Sequence, residues 1–203
     1  MPYFSLRNWG SFGGWCAESS GVSRDSEERS MDKVMMFSSP WGWMGIAESS
    51  KGIQAIVLPK RSERAVEADL RAQSNGLLQR GESARLDVAR RQLLDYLAGT
   101  RHTFDVPLDL SQGTVFQRKV WRVLLRVPYG KLRSYQWVAA RVGGPQYARA
   151  VGNAVGANPI PVVIPCHRIV SQDATLGGFS GGLSMKRKLL SLEGTLRYVN
   201  AGH

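Results

Sequence analysis

The stretch SYQWVAARVGGPQYARAVGNAVG, residues 134–156 of this 203-residue chain, predicts a helix-turn-helix. Ser134 is a suitable N-cap for the first helix, because its hydroxyl can accept a hydrogen bond from a free backbone N–H group of the first turn. That helix is predicted to end at the glycine pair 143–144, and Pro145 marks the turn before a second helix at about 146–156. Two short helices joined by a tight turn form the unit with which many proteins enter a DNA groove.

The second of these helices combines small side chains with one long cation. Ala148, Ala150 and Gly152 flank Arg149 in the sequence ARAVG. Small side chains allow a helix backbone to come close to a nucleic-acid groove, but they equally allow two helices to pack closely. The sequence leaves both interpretations open.

The next segment, PIPVVIPCHRIV at residues 159–170, places a cysteine and a histidine side by side. Its apolar, β-branched composition predicts an extended segment that is interrupted at Pro165. Basic neighbours lower the pKa of a thiol and favour the nucleophilic thiolate, which makes Cys166 a candidate nucleophile and His167 its candidate base. Adjacent side chains of an extended segment point to opposite faces, so their contact would need a bridging water. A cysteine that only packs in the core is the alternative.

Residues 176–194 supply a glycine-rich loop, LGGFSGGL, and then a basic helix, SMKRKLLSLEG, which is predicted to end at Gly194. Glu193, next to that glycine, is one of only two acidic residues after position 109. An isolated acid in a basic region is a candidate to orient a histidine, or simply to pair with an arginine or lysine.

Charge separates the two halves of the chain. Residues 110–203 hold 13 basic and 2 acidic side chains, whereas residues 31–109 hold 11 and 10. Such an excess is typical of a surface that binds a polyanion, although a charged, solvated surface is the alternative. No apolar run is long enough to cross a membrane, and the first residues do not resemble a secretory signal. The two cysteines, Cys16 and Cys166, exclude a disulfide scaffold and a four-cysteine zinc site, and they favour a reducing, intracellular setting.

The N-terminal half is predicted to be a small sheet with helices. The segments VMMF, WMGIA and IQAIVL between residues 34 and 59 are apolar, favour strands and are separated by turn residues. Residues 62–80 are predicted to be partly helical, and LDVARRQLLDYLAG at 86–99 predicts an amphipathic helix. Three apolar residues recur on one face of that helix: Ala89, Leu93 and Leu97.

These patterns predict an α+β protein of two domains. The expected divisions are an N-terminal extension at 1–30 that is predicted to be disordered, a small α/β domain at 31–109, a mostly helical domain at 110–197 and a tail at 198–203. The boundary near residue 110 follows a proline-containing connector, and Met31 is an alternative start.

The motifs of the second half resemble those of one family, the methylated-DNA–protein-cysteine methyltransferases, also called O6-alkylguanine-DNA alkyltransferases. The motifs are RAVG, an Asn-Pro pair, PCHR within an apolar run, and the loop GGFSGG. The resemblance is strong over residues 113–194, looser over 31–112, and does not cover 1–30. It implies a ribonuclease-H-like N-terminal domain and a winged-helix-like C-terminal domain.

The resemblance also implies a catalytic role for each matching residue. Cys166 would take the alkyl group from O6 of guanine, while His167, through a water, and Glu193 would form the relay that generates the thiolate. Tyr135 would offer its hydroxyl to the departing base. Asn158 would brace the segment that links the second helix to the cysteine.

The DNA contacts implied by the resemblance lie on the second helix and on the glycine-rich loop. Arg149 would enter the base stack and fill the space left by an extruded nucleotide, although binding a phosphate is the alternative. Phe179 is also expected to contact DNA, and it departs from the family, because many relatives carry a tyrosine at that position. The remaining contacts, at the minor groove and at the flipped base, would come from Ala148, Ala150, Gly152 and Ser180.

The implied function is DNA repair by direct reversal, in which one alkyl group moves from O6-alkylguanine, or O4-alkylthymine, to Cys166 after base flipping. A thioether has no activated leaving group, so the protein would act once. The expected partner is double-stranded DNA that carries the lesion, bound by a monomer. No cofactor or metal is expected, since few cysteines and histidines remain outside the motif. The protein would work in the cytoplasm, or in the nucleus of a eukaryote.

Three other functions fit parts of the pattern. A related group of damage-binding modules replaces the reactive cysteine, often by tryptophan, and only binds lesions. A helix-turn-helix regulator would use the thiol for sensing or packing, but it should read bases in the major groove, for which the small residues of the second helix offer no side chains. A cysteine hydrolase would need an oxyanion pattern and an Asn or Asp partner, which do not accompany this Cys-His pair.

Overall fold

The computed structural model describes residues 32–74 and 78–199. The extension predicted at 1–30 and the alternative start at Met31 lie outside these residues, as does the part of the predicted tail from residue 200 onward. The beginning of that tail lies inside them, where Tyr198 ends a short 3-10 helix that starts at Leu196.

A four-stranded sheet forms the N-terminal half. Its strands are β1 (Asp32–Ser39), β2 (Gly42–Glu48), β3 (Ile53–Lys60) and β4 (Leu78–Arg80), in the order β3-β2-β1-β4. β1, β2 and β3 are antiparallel neighbours, whereas β4 is parallel to β1. The three strands predicted from the apolar segments are confirmed.

Two helices cover the two faces of this sheet. α1 (Glu63–Gln73) begins after the N-cap Ser62, and α2 (Ala84–Leu97) begins after the N-cap Ser83. Side chains of a strand alternate between the two faces, so one set of core residues packs with α1 and another with α2. Leu93 of α2 is fully buried in the larger set, as the helical period predicts.

The C-terminal half is mostly helical, as predicted. Its helices are α3 (Val115–Leu124), α4 (Tyr135–Val142), α5 (Ala148–Gly156) and α6 (Leu183–Leu192). Ser134 caps α4 by accepting a hydrogen bond from the backbone N–H of Trp137, and α4 ends at Gly143. A short 3-10 turn that starts at Pro145 leads into α5, so the two predicted helices and the turn between them are present.

The segment around Cys166 differs from the extended structure that the sequence predicts. Cys166–Arg168 forms a 3-10 turn, and only strand β6 (Ile169–Val170) belongs to a ladder. β6 pairs in parallel with β5 (Arg133–Ser134), which immediately precedes α4. The prolines of the segment explain the difference, because a proline removes a backbone donor and does not sustain a strand. The turn therefore lies beside the first residues of α4.

One hydrophobic core is shared by the two halves. It combines buried residues of the sheet and α2 with buried residues of α3, α4 and α5. A backbone hydrogen bond of 2.9 Å from the N–H of Ile56 to the carbonyl of Pro159 joins β3 directly to the segment before the cysteine. The division into two domains near residue 110 stays a prediction. Among the described residues, no helix is long and apolar enough to span a membrane.

Ala174 has a backbone φ of 61°, in the left-handed region that disfavours residues with a side chain. It lies in a tight turn, where its N–H donates to the carbonyl of Ser171. Ala174→Gly should raise the free energy of unfolding by about 0.5–1 kcal/mol, because relief of the left-handed strain exceeds the added entropy of the unfolded glycine. Urea unfolding measures the change. The control is Ala140→Gly, in the exposed part of α4, which should lower the free energy by about 1 kcal/mol. A destabilised Ala174→Gly protein would contradict strain at this turn.

Candidate active site

Cys166 is a free, buried thiol with 1% of its surface exposed. The side-chain amide of Asn158 donates to its Sγ over 3.0 Å and to the carbonyl of Ile164 over 2.9 Å. The amide oxygen of Asn158 accepts from the N–H of Ile160 at 3.0 Å. Asn158 therefore ties together the segment between the end of α5 and the thiol.

Burial raises the pKa of the Cys166 thiol above its ordinary value. The hydrogen bond from Asn158 and the positive charge of Lys186 lower this pKa, but by less. The expectation that basic neighbours favour an ionised thiol is therefore wrong: burial outweighs those charges, and the resting cysteine is neutral. Such a thiol needs a base that removes its proton before it can act as a nucleophile.

His167 and Glu193 form a buried pair. Nε2 of His167 lies 2.8 Å from Oε1 of Glu193, and neither side chain is exposed. Burial lowers the pKa of His167 more than the Glu193 carboxylate raises it, so the ring is neutral at rest. Burial alone would raise the pKa of Glu193, but hydrogen bonds from His167 and Arg168 and the charge of Arg168 outweigh it and lower that pKa to about 2.

The ionised carboxylate determines which nitrogen of the His167 ring carries the proton. A carboxylate only accepts hydrogen bonds, so the facing Nε2 is the protonated nitrogen and Nδ1 is the basic one. Nδ1 is buried and has no hydrogen-bond partner within the described residues. A basic nitrogen in the residue next to a neutral thiol is suited to receive the thiol proton through one water.

The side chains of two further residues bind the Glu193 carboxylate. Arg168 is 5% exposed; it donates from Nη2 to Oε1 of Glu193 at 2.9 Å and from Nη1 to the carbonyl of Val127 at 2.6 Å. Tyr96 of α2 donates to Oε1 of Glu193 at 2.5 Å. Arg168 belongs to the PCHR motif, but sequence reasoning missed its role. The helical period places Tyr96 on the buried face of α2, although it says nothing about a polar partner.

Lys186 of α6 is a buried cation that sequence reasoning also missed. Its Nζ donates to the carbonyl of Ile169 at 2.5 Å and to that of Leu176 in the glycine-rich loop. Burial lowers the pKa of Lys186 to about 8, while the charge of a Cys166 thiolate raises it. Lys186 therefore joins the Cys-His-Arg turn to the loop. Its helical spacing from Leu189 is the sequence signal that could have found it, because both lie on one face.

Tyr135 lies close to the thiol because β5 and β6 pair and bring the start of α4 to the Cys-His-Arg turn. The hydroxyl of Tyr135 donates to the carbonyl of Gly178 at 3.4 Å, and a Cβ at Gly177 would come within 3.0 Å of the tyrosine ring. Burial raises the pKa of Tyr135, and the charge of a Cys166 thiolate raises it further. The hydroxyl is consequently a protonated donor near the thiol.

The residues of α5 that are predicted to contact DNA differ in exposure, and Ala148 packs against the shared core. Arg149 and Ala150 are exposed, whereas Ala148 and Gly152 are half-buried. No hydrogen bond or ion pair joins the side chain of Arg149 to another described residue. A Cβ added at Gly152 would meet no atom within 4 Å. Close helix packing therefore does not explain this glycine, and α5 presents an open surface.

The glycine-rich loop places its two predicted contact residues differently. Ser180 is exposed and lines, together with Asn158, a cleft of about 580 Å³ beside β3. Phe179 is half-buried and packs against the shared core. Cys166 and Tyr135 do not line this cleft. The structure thus brings the asparagine to the cysteine and the glutamate to the adjacent histidine, whereas Arg149 and Ser180 are exposed.

The surface of the C-terminal half is basic. Exposed cations occur on every helix of this half, for example Arg122 on α3 and Arg141 on α4. Glu193, one of its two acidic residues, is buried, so this surface carries almost no negative charge and suits a polyanion. Within residues 32–74 and 78–199, no group of three or more His, Cys, Asp or Glu side chains is placed to hold a metal ion.

A family model and several known proteins are similar to this chain in sequence. The family model described as "6-O-methylguanine DNA methyltransferase, DNA binding domain" matches residues 115–195. A methylated-DNA–protein-cysteine methyltransferase of Mycobacterium tuberculosis H37Rv is 51% identical over 102 residues, which cover 50% of this chain and 61% of the relative. One of Methanosarcina acetivorans is 35% identical over 160 residues, which cover 79% of this chain and 97% of the relative. The chain thus spans less than two thirds of the mycobacterial relative but nearly all of the archaeal one.

Solved structures show the same likeness in three dimensions. The structure of the M. tuberculosis OGT in complex with DNA has a TM-score of 0.65 and 35% identity, covering 81% of this chain and 94% of that one. The O6-methylguanine-DNA methyltransferase of Pyrococcus kodakaraensis has a TM-score of 0.62 and 25% identity, covering 81% and 99%. The mixed α+β architecture predicted from the sequence is thereby confirmed.

Proposed function

We propose that this chain, which belongs to the methylated-DNA–protein-cysteine methyltransferase family, repairs DNA by moving an alkyl group from O6 of guanine onto Cys166. The observation that carries the proposal is the buried group of contacts around the thiol. A neutral cysteine is followed by a histidine with a basic, unpartnered Nδ1, and that histidine contacts an ionised glutamate. In the sequence these groups come after α5, which presents an open, accessible surface at Gly152.

Transfer begins when the thiol proton of Cys166 passes through a water to Nδ1 of His167. The Glu193 carboxylate, 2.8 Å from Nε2, stabilises the imidazolium that forms. The thiolate then attacks the alkyl carbon, so an S–C bond forms, the bond from carbon to O6 breaks, and its electron pair stays on guanine. The Tyr135 hydroxyl donates a hydrogen bond to the anionic base, and a proton that returns from the relay restores neutral guanine.

The product explains why each protein molecule would act once. A thioether holds no activated leaving group that water could displace, so the alkyl group stays on sulfur. O6 of a paired guanine lies inside the duplex, so the base has to leave the stack before the thiol can reach it. O4-alkylthymine carries the same kind of alkyl–oxygen bond on a ring and is a second substrate in this proposal.

The finer features of the fold belong to the same proposal. We assign the sheet and its helices to a ribonuclease-H-like domain at 31–109, and α3–α6 to a winged-helix-like domain at 110–197. The second domain would bind double-stranded DNA as a monomer, with α5 in the minor groove. The open space at Gly152 supports this approach, because a backbone without a side chain can come close to the groove.

Arg149 is proposed to fill the stack after the base is flipped. Opening one base step costs a few kcal/mol, and a long planar side chain in the gap offsets part of that cost. Arg149→Ala should slow transfer from a methylated duplex by about tenfold for each 1.4 kcal/mol of lost stabilisation. Transfer from free O6-benzylguanine, which needs no extrusion, should stay nearly normal. Single-turnover rates at saturating duplex measure the effect.

Arg122→Ala is the control for this variant, because Arg122 is an exposed arginine of the same half but lies on α3. Loss of a phosphate contact weakens DNA binding and its salt dependence without changing the rate at saturation. If Arg149→Ala also keeps the wild-type rate at saturating duplex, Arg149 binds a phosphate and does not fill the stack.

Intact-protein mass spectrometry after incubation with an O6-methylguanine duplex tests the proposed function. The protein should gain the mass of one methylene group, since a methyl replaces the thiol hydrogen, and peptide mapping should locate it on Cys166. Binding to the lesion without a gain in mass would instead support a damage-binding module. Sequence-specific binding to undamaged DNA would support a regulator.

A further inference from the structure

We propose that Tyr96 is a positioning residue of the relay: its hydroxyl, carried by α2 of the N-terminal half, holds the Glu193 carboxylate against His167. This role rests on the proposed function. Tyr96 lies in the N-terminal half with the sheet, whereas His167 and Glu193, the other members of the relay, lie in the C-terminal half.

The Tyr96 side chain is fully buried and reaches the relay from α2. Its hydroxyl donates to Oε1 of Glu193 at 2.5 Å and lies 3.3 Å from Nε2 of His167. Burial raises the pKa of Tyr96, so the hydroxyl stays protonated and acts as a donor. The Tyr96 hydroxyl thus lies next to both Nε2 of His167 and Oε1 of Glu193, and the basicity of the histidine depends on the contact between these two atoms.

Arg168 competes with His167 for the same carboxylate. Its Nε lies 3.0 Å from each oxygen of Glu193, and its Nη2 lies 2.9 Å from Oε1. The guanidinium carries a full positive charge and several donors, whereas the neutral imidazole offers one hydrogen bond, so a carboxylate that is free to turn would move toward Arg168. The N–H of Gly130 binds Oε2 at 3.1 Å and does not hold Oε1. Tyr96 is the neutral group that opposes this movement.

The position of Oε1 sets the strength of His167 as a base. The imidazolium is stabilised by the nearby carboxylate, so a longer distance between Nε2 and Oε1 makes Nδ1 a weaker base. The other charged groups that act on the ring, Arg168 and Lys186, are cations and disfavour the imidazolium. The thiol of Cys166 would then pass its proton to Nδ1 less readily.

The aromatic cluster around Tyr96 offers a matched control. The ring of Tyr96 contacts Tyr129 edge-on, with centroids 5.9 Å apart, and Phe104 at 5.5 Å. The Tyr129 hydroxyl donates to the carbonyl of Leu192 at 3.1 Å. Tyr96→Phe and Tyr129→Phe each remove one hydroxyl from the same cluster and keep the ring, but only the first removes a contact to the relay.

Single-turnover transfer from a saturating O6-methylguanine duplex, measured against pH, tests the role of Tyr96. Tyr96→Phe should transfer about tenfold more slowly at neutral pH, and the midpoint of its rate–pH profile should lie below that of the wild type, because a weaker base loses its proton at lower pH. Tyr129→Phe should keep the wild-type midpoint and a rate within about twofold of the wild type.

A double-mutant cycle separates positioning from general stability. In a Glu193→Gln background the carboxylate that Tyr96 holds is absent, so Tyr96→Phe should cause no further loss of rate. An equal loss in both backgrounds, an unchanged midpoint, or a rate equal to that of Tyr129→Phe would overturn the role of Tyr96. Absence of transfer by the wild-type protein would overturn the proposed function itself.

Discussion

Cys166→Ala should abolish alkyl transfer and leave the binding of double-stranded DNA nearly unchanged. The sulfur is the atom proposed to accept the alkyl group, whereas the proposed affinity for DNA comes mainly from exposed cations and backbone contacts to phosphates. Only 1% of the cysteine surface is exposed, so its loss alters little of the surface that faces DNA. Mass spectrometry measures the transfer, and fluorescence anisotropy with a labelled duplex measures the binding.

Cys16→Ala is the matched control, since Cys16 is the other of the two cysteines in the sequence. It should transfer like the wild type. Asn158 keeps its hydrogen bond to the carbonyl of Ile164 when the sulfur is removed, so Cys166→Ala should fold with a loss of about 1 kcal/mol. Residual transfer by Cys166→Ala would point to Cys16 and refute the assignment of the nucleophile.

Glu193→Gln should reduce both the transfer rate and the stability of the protein. Without the carboxylate, the imidazolium of His167 loses its counter-charge, and loss of general-base catalysis slows a reaction by about 10²–10⁴-fold. The guanidinium of Arg168, which is nearly buried, loses its ion-pair partner. Removing one partner of a buried pair costs about 3–5 kcal/mol, so the free energy of unfolding should fall by about that amount at neutral pH.

The stability difference between the wild type and Glu193→Gln should depend on pH with a defined sign. The pKa of Glu193 is lowered from 4.5 to about 2 in the folded protein. Its ionisation therefore contributes stability above pH 4.5, and this contribution is lost as the pH falls from 4.5 toward 2. The difference in the free energy of unfolding between the wild type and Glu193→Gln should therefore become smaller as the pH falls from 4.5 toward 2. Urea unfolding at neutral pH and at about pH 3 measures it.

Glu67→Gln is the control for this variant. Glu67 lies at the surface of α1 and pairs with Arg71 and Arg80 in contact with solvent, which screens the interaction. Glu67→Gln should leave the transfer rate unchanged and the free energy of unfolding nearly unchanged. A difference between the wild type and Glu193→Gln that stays constant from neutral pH to pH 3 would contradict an ionised, buried Glu193.

Much of the fold can be predicted from the sequence because the signals are local. Three signals each act within a few residues of backbone, and all three appear as predicted. They are the cap at Ser134, the glycine pair before Pro145 and the helical period that buries Leu93 in α2. The reacting groups are local signals too. A cysteine next to a histidine, and a lone acid in a basic region, are visible without coordinates.

The conformation and ionisation of the cysteine segment could not be predicted in the same way. Its apolar composition predicts an extended run, but Cys166–Arg168 forms a 3-10 turn. Its basic neighbours predict a lowered thiol pKa, but burial raises that pKa. Both differences arise from the surroundings of the segment: the pairing of β5 with β6 sets the turn beside α4, and the shared core removes the thiol from water.

The sequence by itself predicts the two helices around the glycine–proline turn and the three strands before them. It also indicates a candidate nucleophile and its nearest candidate partners. Only the tertiary structure decides that Arg168, Tyr96 and Lys186 complete the site. Tyr96 and Glu193 are 97 residues apart, and they meet because α2 packs on the core that the two halves share. The physical reason is that a helical period encodes which face is buried, whereas the polar atom that a buried side chain meets depends on how distant elements pack together.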